Sequence, residues 1–315
     1  MAGNIAPEAA AAVRYTVLKL RLHPTPEQAA LMEQTFGCCR YIWNRMLADA
    51  GEFYAATDLQ YIPAPARYKK DAPFLRAVDS QALCAVHQDL RQAFLDFFRR
   101  PDHFRRPKFK RKKSGRDSFT TPCRRLPSGP TVYLTEEGVR LPKLGVVRAV
   151  FHRRPLRGWS LRSVTVTRTR SGKYFASLAC SYEARIPRRP APSAENTLGL
   201  PALPDPPGLE RSRAKLARAR RKLSRMERGS RNYEAQLQKL RLLYERAANQ
   251  RRDFIHKESR RIANAWEAVC LGAGTGLLEE CLRYKLEEQG KRLIVVNGPA
   301  GTPEELRDLG LARSA

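Results

Sequence analysis

VRYTVLKLRLHPTPEQ, residues 13–28, decides how the N-terminal half of this chain folds. Its first ten residues alternate apolar and polar side chains at period 2, the pattern of a strand with one buried face. Pro24 ends that pattern, and Thr25-Pro26-Glu27-Gln28 follows. Thr25 reads as an N-cap, and Pro26 takes the first helical position, where its missing N–H costs nothing. A strand therefore gives way directly to a helix. From there to about Phe98 the apolar spacing stays helical, through Leu31, Met32 and Phe36, then Ile42, Trp43 and Met46, then residues 82–98. The pattern predicts a helical insertion between strands.

Working outward, RRPDHFRRPKFKRKKSGR (residues 99–116) holds ten Lys/Arg and one acid, with Phe104 and Phe109 interleaved. Strands are predicted next at 131–134 and 139–141 around a T-E-E-G turn, at 146–151, and as a pair at 161–168 and 173–182 across Ser171-Gly172. With the first strand they are expected to close a small barrel. Residues 185–208 contain seven prolines and read as a linker plus a poor strand. Residues 209–266 read as a helical hairpin broken at Gly229-Ser230, with a net charge of +12. A short strand (268–271), a helix (277–289) and a strand (293–296) complete the pattern.

The chain has 315 residues, 59 Lys+Arg against 31 Asp+Glu, a net charge of +28, and 42% hydrophobic residues. That apolar content supports a real core, so the charge decorates a folded protein and asks for a polyanionic partner, nucleic acid first. The seven cysteines are odd in number and form no C-x-x-C pair, which argues against a disulfide framework and a zinc site. Glu8 stands where a secretory signal would be basic, and no apolar run approaches the ~18 residues of a membrane span. The reading is a cytoplasmic, nucleoid-associated protein with no membrane partner.

Several stretches, in order, resemble the TnpB family of transposon-encoded RNA-guided nucleases, relatives of the type V CRISPR effectors. They are KLRLHPTPEQ (19–28), FGCCRYIWNRMLA (36–48), SQALCAVHQDLRQAFLDFF (80–98), RRPKFKRKKSGRDSFT (105–120), VRLPKLGVVR (139–148) and SRMERGSRNYEAQLQKLRLLYERAANQRRDFIHKESRRI (224–262). The resemblance implies a multidomain α+β protein. A flexible tail (1–12) precedes a wedge β-barrel (13–184) with a helical recognition insertion at about 25–98. A linker (185–197) leads to a degenerate RuvC-like, RNase H-like domain (198–297) carrying the basic hairpin 209–266 and no zinc ribbon, and a tail (298–315) follows. It also implies a guide RNA as cofactor and a double-stranded DNA target as partner.

The family's nuclease centre uses three carboxylates to hold two divalent ions. Here the first-strand pattern aligns with Gly199-Leu200-Pro201-Ala202-Leu203, placing Pro201 at the Asp position. The second aligns with Val269-Cys270-Leu271-Gly272, placing Gly272 at the Glu position, and after Asn297 neither the zinc-ribbon cysteines nor the family's last-Asp motif is recognised. The expectation is a chain without catalytic residues or a metal, similar to the family's nuclease-dead, TldR-like repressors, which occupy DNA and exclude RNA polymerase. The alternatives are an RNA-guided endonuclease with relocated ligands, for which Asp205, Glu267 and Glu279 are the nearest acids, and a decayed transposon remnant binding RNA non-specifically.

Two groups of binding residues follow from the resemblance. Ser80, Gln81, Cys84, His87 and Gln88, with Ser118, Thr120 and Thr121, are expected to read the motif flanking the target, since Gln pairs with adenine and Thr touches a thymine methyl. Arg105, Arg106, Lys108, Lys110, Arg111, Lys112 and Lys113, with Arg218, Arg220, Arg221, Arg225, Arg251 and Arg252, are expected on the backbone of RNA or heteroduplex. His256 is read as a packing or capping residue with no nucleophile beside it. Trp43, Trp159 and Trp266 are read as core.

Overall fold

The computed structural model describes residues 10–112, 115, 117–187, 196–200 and 203–296. Residues 13–183 form one compact unit, and the described residues from 184 onward, with 10–12, form another.

In the first unit, β1 (Ala10–His23) runs into α1 (Pro26–Thr57) through a complete capping box. The Gln28 N–H donates to Thr25 Oγ1 (3.3 Å) and the Thr25 N–H to Gln28 Oε1 (3.1 Å). The Gln28 amide nitrogen also donates to the carbonyls of Leu144 and Val146, at 3.1 and 2.9 Å, so the cap ties the helix to strands more than a hundred residues on. After two 3-10 turns comes α2 (Ser80–Arg99), capped by Asp79, whose carboxylate accepts from the Gln81 N–H at 3.0 Å. The remaining strands are β2 (Asp117–Pro122), β3 (Arg125–Leu126), β4 (Gly129–Pro130), β5 (Tyr133–Leu134), β6 (Gly138–Leu141), β7 (Gly145–Val150), β8 (Ser160–Arg168) and β9 (Tyr174–Ile186).

Seven of these strands form one sheet in the order β2-β8-β9-β1-β7-β6-β5. It is a curled half-barrel and not the closed barrel expected, because β5 offers only two residues of edge and does not pair with β2 among the described residues. Gly138 is required where β6 passes β7: a Cβ there would lie 2.0 Å from the Val147 carbonyl oxygen. The core joins Leu18, Leu20 and Leu22 of β1 to Phe36, Ile42 and Met46 of α1, Leu83 and Leu90 of α2, and Phe119, Val147, Val164 and Leu178 of the sheet. Each such side chain contributes about 1.5–3 kcal/mol of burial.

In the second unit, β10 (Thr197–Leu200), β11 (Ala268–Gly272) and β12 (Arg292–Val296) form a parallel sheet in that order. Parallel neighbours need long crossovers. The hairpin of α3 (Leu209–Ser224) and α4 (Arg231–Ala265) supplies one, and α5 (Leu277–Glu288) the other. Gly229, at φ 87°, makes the turn between α3 and α4, and Ser230 caps α4 by accepting from the Tyr233 N–H. β11 is buried on both faces, and Ile262, Val269, Leu271, Leu278, Leu282 and Leu286 pack together.

Candidate nucleic-acid interface

A cleft of about 480 Å³ opens in the first unit between α1, α2, β2 and residues 109–111. Its position follows from how the basic run is anchored. The run docks by its backbone: the Trp43 indole donates to the Lys108 carbonyl (2.9 Å), and Asn44 both donates to the Lys110 carbonyl (3.0 Å) and accepts from its N–H (2.8 Å). Lys110 is thereby turned over the Trp43 ring, its ammonium 3.7 Å from the centroid. Desolvation lowers its pKa, partly opposed by Asp89 and Cys39, and desolvation raises that of Asp89. The Cys39 thiol, pushed up to about 12 chiefly by burial, is no nucleophile at neutral pH. Beneath the cleft lies Asp117, 8% exposed, which accepts from Arg40 (3.1 Å) and Arg168 (2.7 Å). Arg168 also pairs with Glu33 at 2.9 Å, so α1 is clamped to β2 and β8 by charge.

The motif-reading candidates divide around this cleft. Ser118 and Thr120 line it, and Ser80 and Gln88 are exposed on α2. Thr120 shares a 2.9 Å hydrogen bond with Thr165, and His87 is set against the Ile62 carbonyl at 3.2 Å. Cys84 is half-buried, as is Gln81, whose side-chain oxygen is buried without a hydrogen-bond partner among the described residues. Thr121 corrects the sequence reading: it is 1% exposed, because the alternation of β2 turns it inward on the same face as Phe119, and it cannot touch a base. Lys110 is exposed, with its ammonium set over the Trp43 ring. Arg105, Arg106, Lys108, Arg111 and Lys112 are exposed, and Lys113 lies outside the described residues.

On the helical hairpin, Arg218, Arg220, Arg221, Arg225, Arg251 and Arg252 are all exposed. Arg220 donates to the Tyr244 hydroxyl and lies over its ring, and Arg251 pairs with Asp205 at 3.6 Å. The side chains of Arg218, Arg221, Arg225 and Arg252 have no ion pair among the described residues. Such a surface repels itself in water and is relieved by a polyanion.

Sheets of this parallel kind place ligands at the carboxyl ends of their strands. Gly272 ends β11 there, and Pro201 lies outside the described residues. The nearby acids are scattered. Asp205 is exposed and paired with Arg213 (2.8 Å) and Arg251, Glu279 pairs with Arg283 (2.6 Å), and Glu267 precedes β11 at the opposite end. Among the described residues no group of three or more His, Cys, Asp and Glu could hold a metal ion.

One cluster was misread from sequence. His256 does have a nucleophile-type neighbour, Cys281, whose sulfur is 3.5 Å from Nδ1, and the buried Lys285 donates to the His256 carbonyl and to Ser259 Oγ, both at 2.7 Å. Burial raises the Cys281 pKa and, with Lys285 and Arg252, lowers that of His256. Both groups are held neutral, so the pair joins α4 to α5 without thiolate chemistry. Trp159, read as core, is partly buried and packs against the core of the first unit.

A family model described as a helix-turn-helix domain matches residues 14–58, and one described as a probable transposase matches residues 193–272. A Streptomyces pristinaespiralis protein named "Putative RNA-guided DNA endonuclease" is 30% identical over 312 residues, covering 92% of this chain and 72% of that protein. The chain belongs to the TnpB family. An Escherichia coli K12 relative, "Putative RNA-guided DNA endonuclease InsQ", is 30% identical over 262 residues, with 78% of this chain and 62% of the relative covered. Residues 14–58 of this TnpB-family chain are β1 and one continuous helix, so the helix-turn-helix label does not describe their geometry. The relatives overturn the expectation that nuclease chemistry is lost, since both are named as endonucleases. That expectation leaned on Pro201 and on residues from 297 onward, which lie outside the described set, and on Gly272, which ends β11. The TldR-like repressor subtype and the RNA polymerase partner find no support among these relatives. No helix among the described residues is long and apolar enough to cross a membrane.

Proposed function

We propose that this chain works as an RNA-guided DNA endonuclease of the TnpB type, binding a guide RNA and, through it, double-stranded DNA beside a short flanking motif. The observation that carries the reading is the set of exposed arginines of the α3–α4 hairpin, Arg218, Arg221, Arg225 and Arg252, that have no ion pair among the described residues, in a chain of net charge +28 whose relatives are named for RNA guidance. Arg218, Arg221, Arg225 and Arg252, with Arg105, Arg106, Lys108, Arg111 and Lys112, hold phosphates of the guide and its heteroduplex. Phosphate contacts fix register, while pairing with the guide supplies sequence. Ser118 and Thr120, which line the cleft, and Ser80 and Gln88, exposed on α2, are the residues that meet the flanking duplex. In this reading residues 13–184 are the wedge and recognition region and residues 198–297 the RuvC-like domain.

The family's cutting chemistry asks for three carboxylates around two metal ions. The described residues do not supply such a set, so the cutting step is given to the family membership and to no particular side chain. The test is purification with sequencing of bound RNA, followed by reaction of the complex with a plasmid carrying the matched target in Mg²⁺. Uniform RNA and guide-dependent cutting are expected. Nucleic-acid-free protein that stays soluble at low salt would sink the reading.

A further inference from the structure

Where β1 begins, β8 begins and β9 nears its end, the first unit carries a second concavity, of about 580 Å³. That size lies within the roughly 300–1,000 Å³ of small-molecule and cofactor sites. Tyr15, Trp159, Tyr182, Arg157 and Arg162 line it, and Glu183 is the one acid among its walls. Trp159 and Tyr182 are stacked, with centroids 4.7 Å apart and planes 15° from parallel, and the Arg153 guanidinium lies 5.7 Å from the Trp159 ring. Tyr15 is 73% exposed. The loop that builds the site, HRRPLRGWSLR (residues 152–162), has four arginines and no acid. The Arg157 and Arg162 side chains have no hydrogen-bond or ion-pair partner among the described residues.

An exposed tyrosine and a partly buried aromatic stack, beside guanidinium groups without a partner among the described residues, match one kind of ligand. Rings accept a nucleobase by stacking, whatever its identity, and a guanidinium fork fits a phosphate. A duplex presents no free base face to Tyr15 or Trp159, and an acidic peptide would use the arginines while leaving the rings bare. We propose that this concavity binds an unpaired nucleotide, its base stacked against Tyr15 and the Trp159–Tyr182 pair and its phosphate on Arg157 and Arg162. The chemistry is shared by a loop of the guide RNA and a displaced DNA strand. Only the choice between those sources rests on the proposed function.

The experiment is photocrosslinking of the full chain to short single strands bearing 5-iodouracil, as RNA and as DNA, with mapping by mass spectrometry, alongside affinity measured by anisotropy. Crosslinks on the peptides of Tyr15, Trp159 or Tyr182 are expected, and the sugar giving the greater yield names the source. Tyr15→Ala and the pair Arg157→Ala/Arg162→Ala change exposed residues and leave the fold intact. They should weaken single-strand binding roughly fivefold or more, with duplex binding unchanged. Trp159→Ala, which also touches the core, serves only as confirmation. Crosslinks confined to residues 105–112 and the helical hairpin, with unaltered affinity in the exposed variants, would overturn the site. So would concentration-dependent dimers abolished by Tyr15→Arg, which would make the face an interface between copies. If these variants behave as the parent while guide-dependent DNA binding persists, the site fails and the proposed function stands; crosslinks at Trp159 without guide dependence would mean the reverse.

Discussion

The two basic regions look alike in sequence and differ in the fold. The run at 105–112 is held by its backbone to Trp43 and Asn44, and one of its cations, Lys110, is folded over an aromatic ring. The α3–α4 hairpin instead spreads its arginines into solvent, with Arg218, Arg221, Arg225 and Arg252 lacking an ion pair among the described residues. The difference teaches that charge density identifies a polyanion-binding protein, while the backbone anchors decide which charges reach the polyanion.

The largest effect that sharpens this contrast is on stability. Asp117→Ala leaves Arg40 and Arg168 without their shared carboxylate and should cost about 2–3 kcal/mol, below the fully buried case because both arginines are partly exposed. Arg221→Ala on the hairpin should stay within about 0.5 kcal/mol. Urea denaturation of the two variants separates them, and equal losses would erase the distinction. Next is Asn44→Ala, which removes two hydrogen bonds to Lys110 and should cost about 1–2 kcal/mol. It should also weaken RNA binding by loosening the run, an effect read by affinity at one salt concentration.

The salt dependence of RNA binding gives a smaller effect. Each hairpin arginine neutralised should lower the slope of log affinity against log salt by about 0.7–0.9, whereas Lys110→Met should leave the slope nearly unchanged. A full unit lost on Lys110→Met would put that ammonium on a phosphate and break the contrast. The smallest effect concerns pH. The folded pKa of His256 is depressed from 6.5 by burial, then by Lys285 and Arg252, with Asp253 opposing. The unfolded chain therefore binds the proton more readily. Stability from this group is present above pH 6.5 and is lost as pH falls through the folded value. Thermal melts at pH 7.5 and 5.5 should show a slightly larger drop for the parent than for His256→Gln.

The strand-to-helix start at 13–28 was legible because alternation, N-cap and proline all agree there, and the structure adds only the reach of Gln28 to β7 and the turn that precedes it. The failures have a common cause. Thr121 was read as a base contact because residue type says nothing about which face of a strand it occupies, and β2 carries no alternation strong enough to fix its register in isolation. The backbone anchor of Lys110 went unread because Asn44 lies 66 positions away. The His256–Cys281 contact spans 25 residues and two helices, which no local spacing discloses. The concavity at Trp159 depends on three strands meeting, although the acid-free arginine loop around that tryptophan was visible in the sequence.

The most direct measurement is the dependence of DNA binding on guide pairing. The protein is purified with its RNA, and binding to duplexes bearing the matched target or a scrambled one is compared at physiological salt, before and after ribonuclease treatment. Tight binding to the matched duplex alone, abolished by ribonuclease, is expected. Equal binding to both duplexes, unaffected by ribonuclease, would contradict RNA guidance and reduce the +28 charge to non-specific attraction.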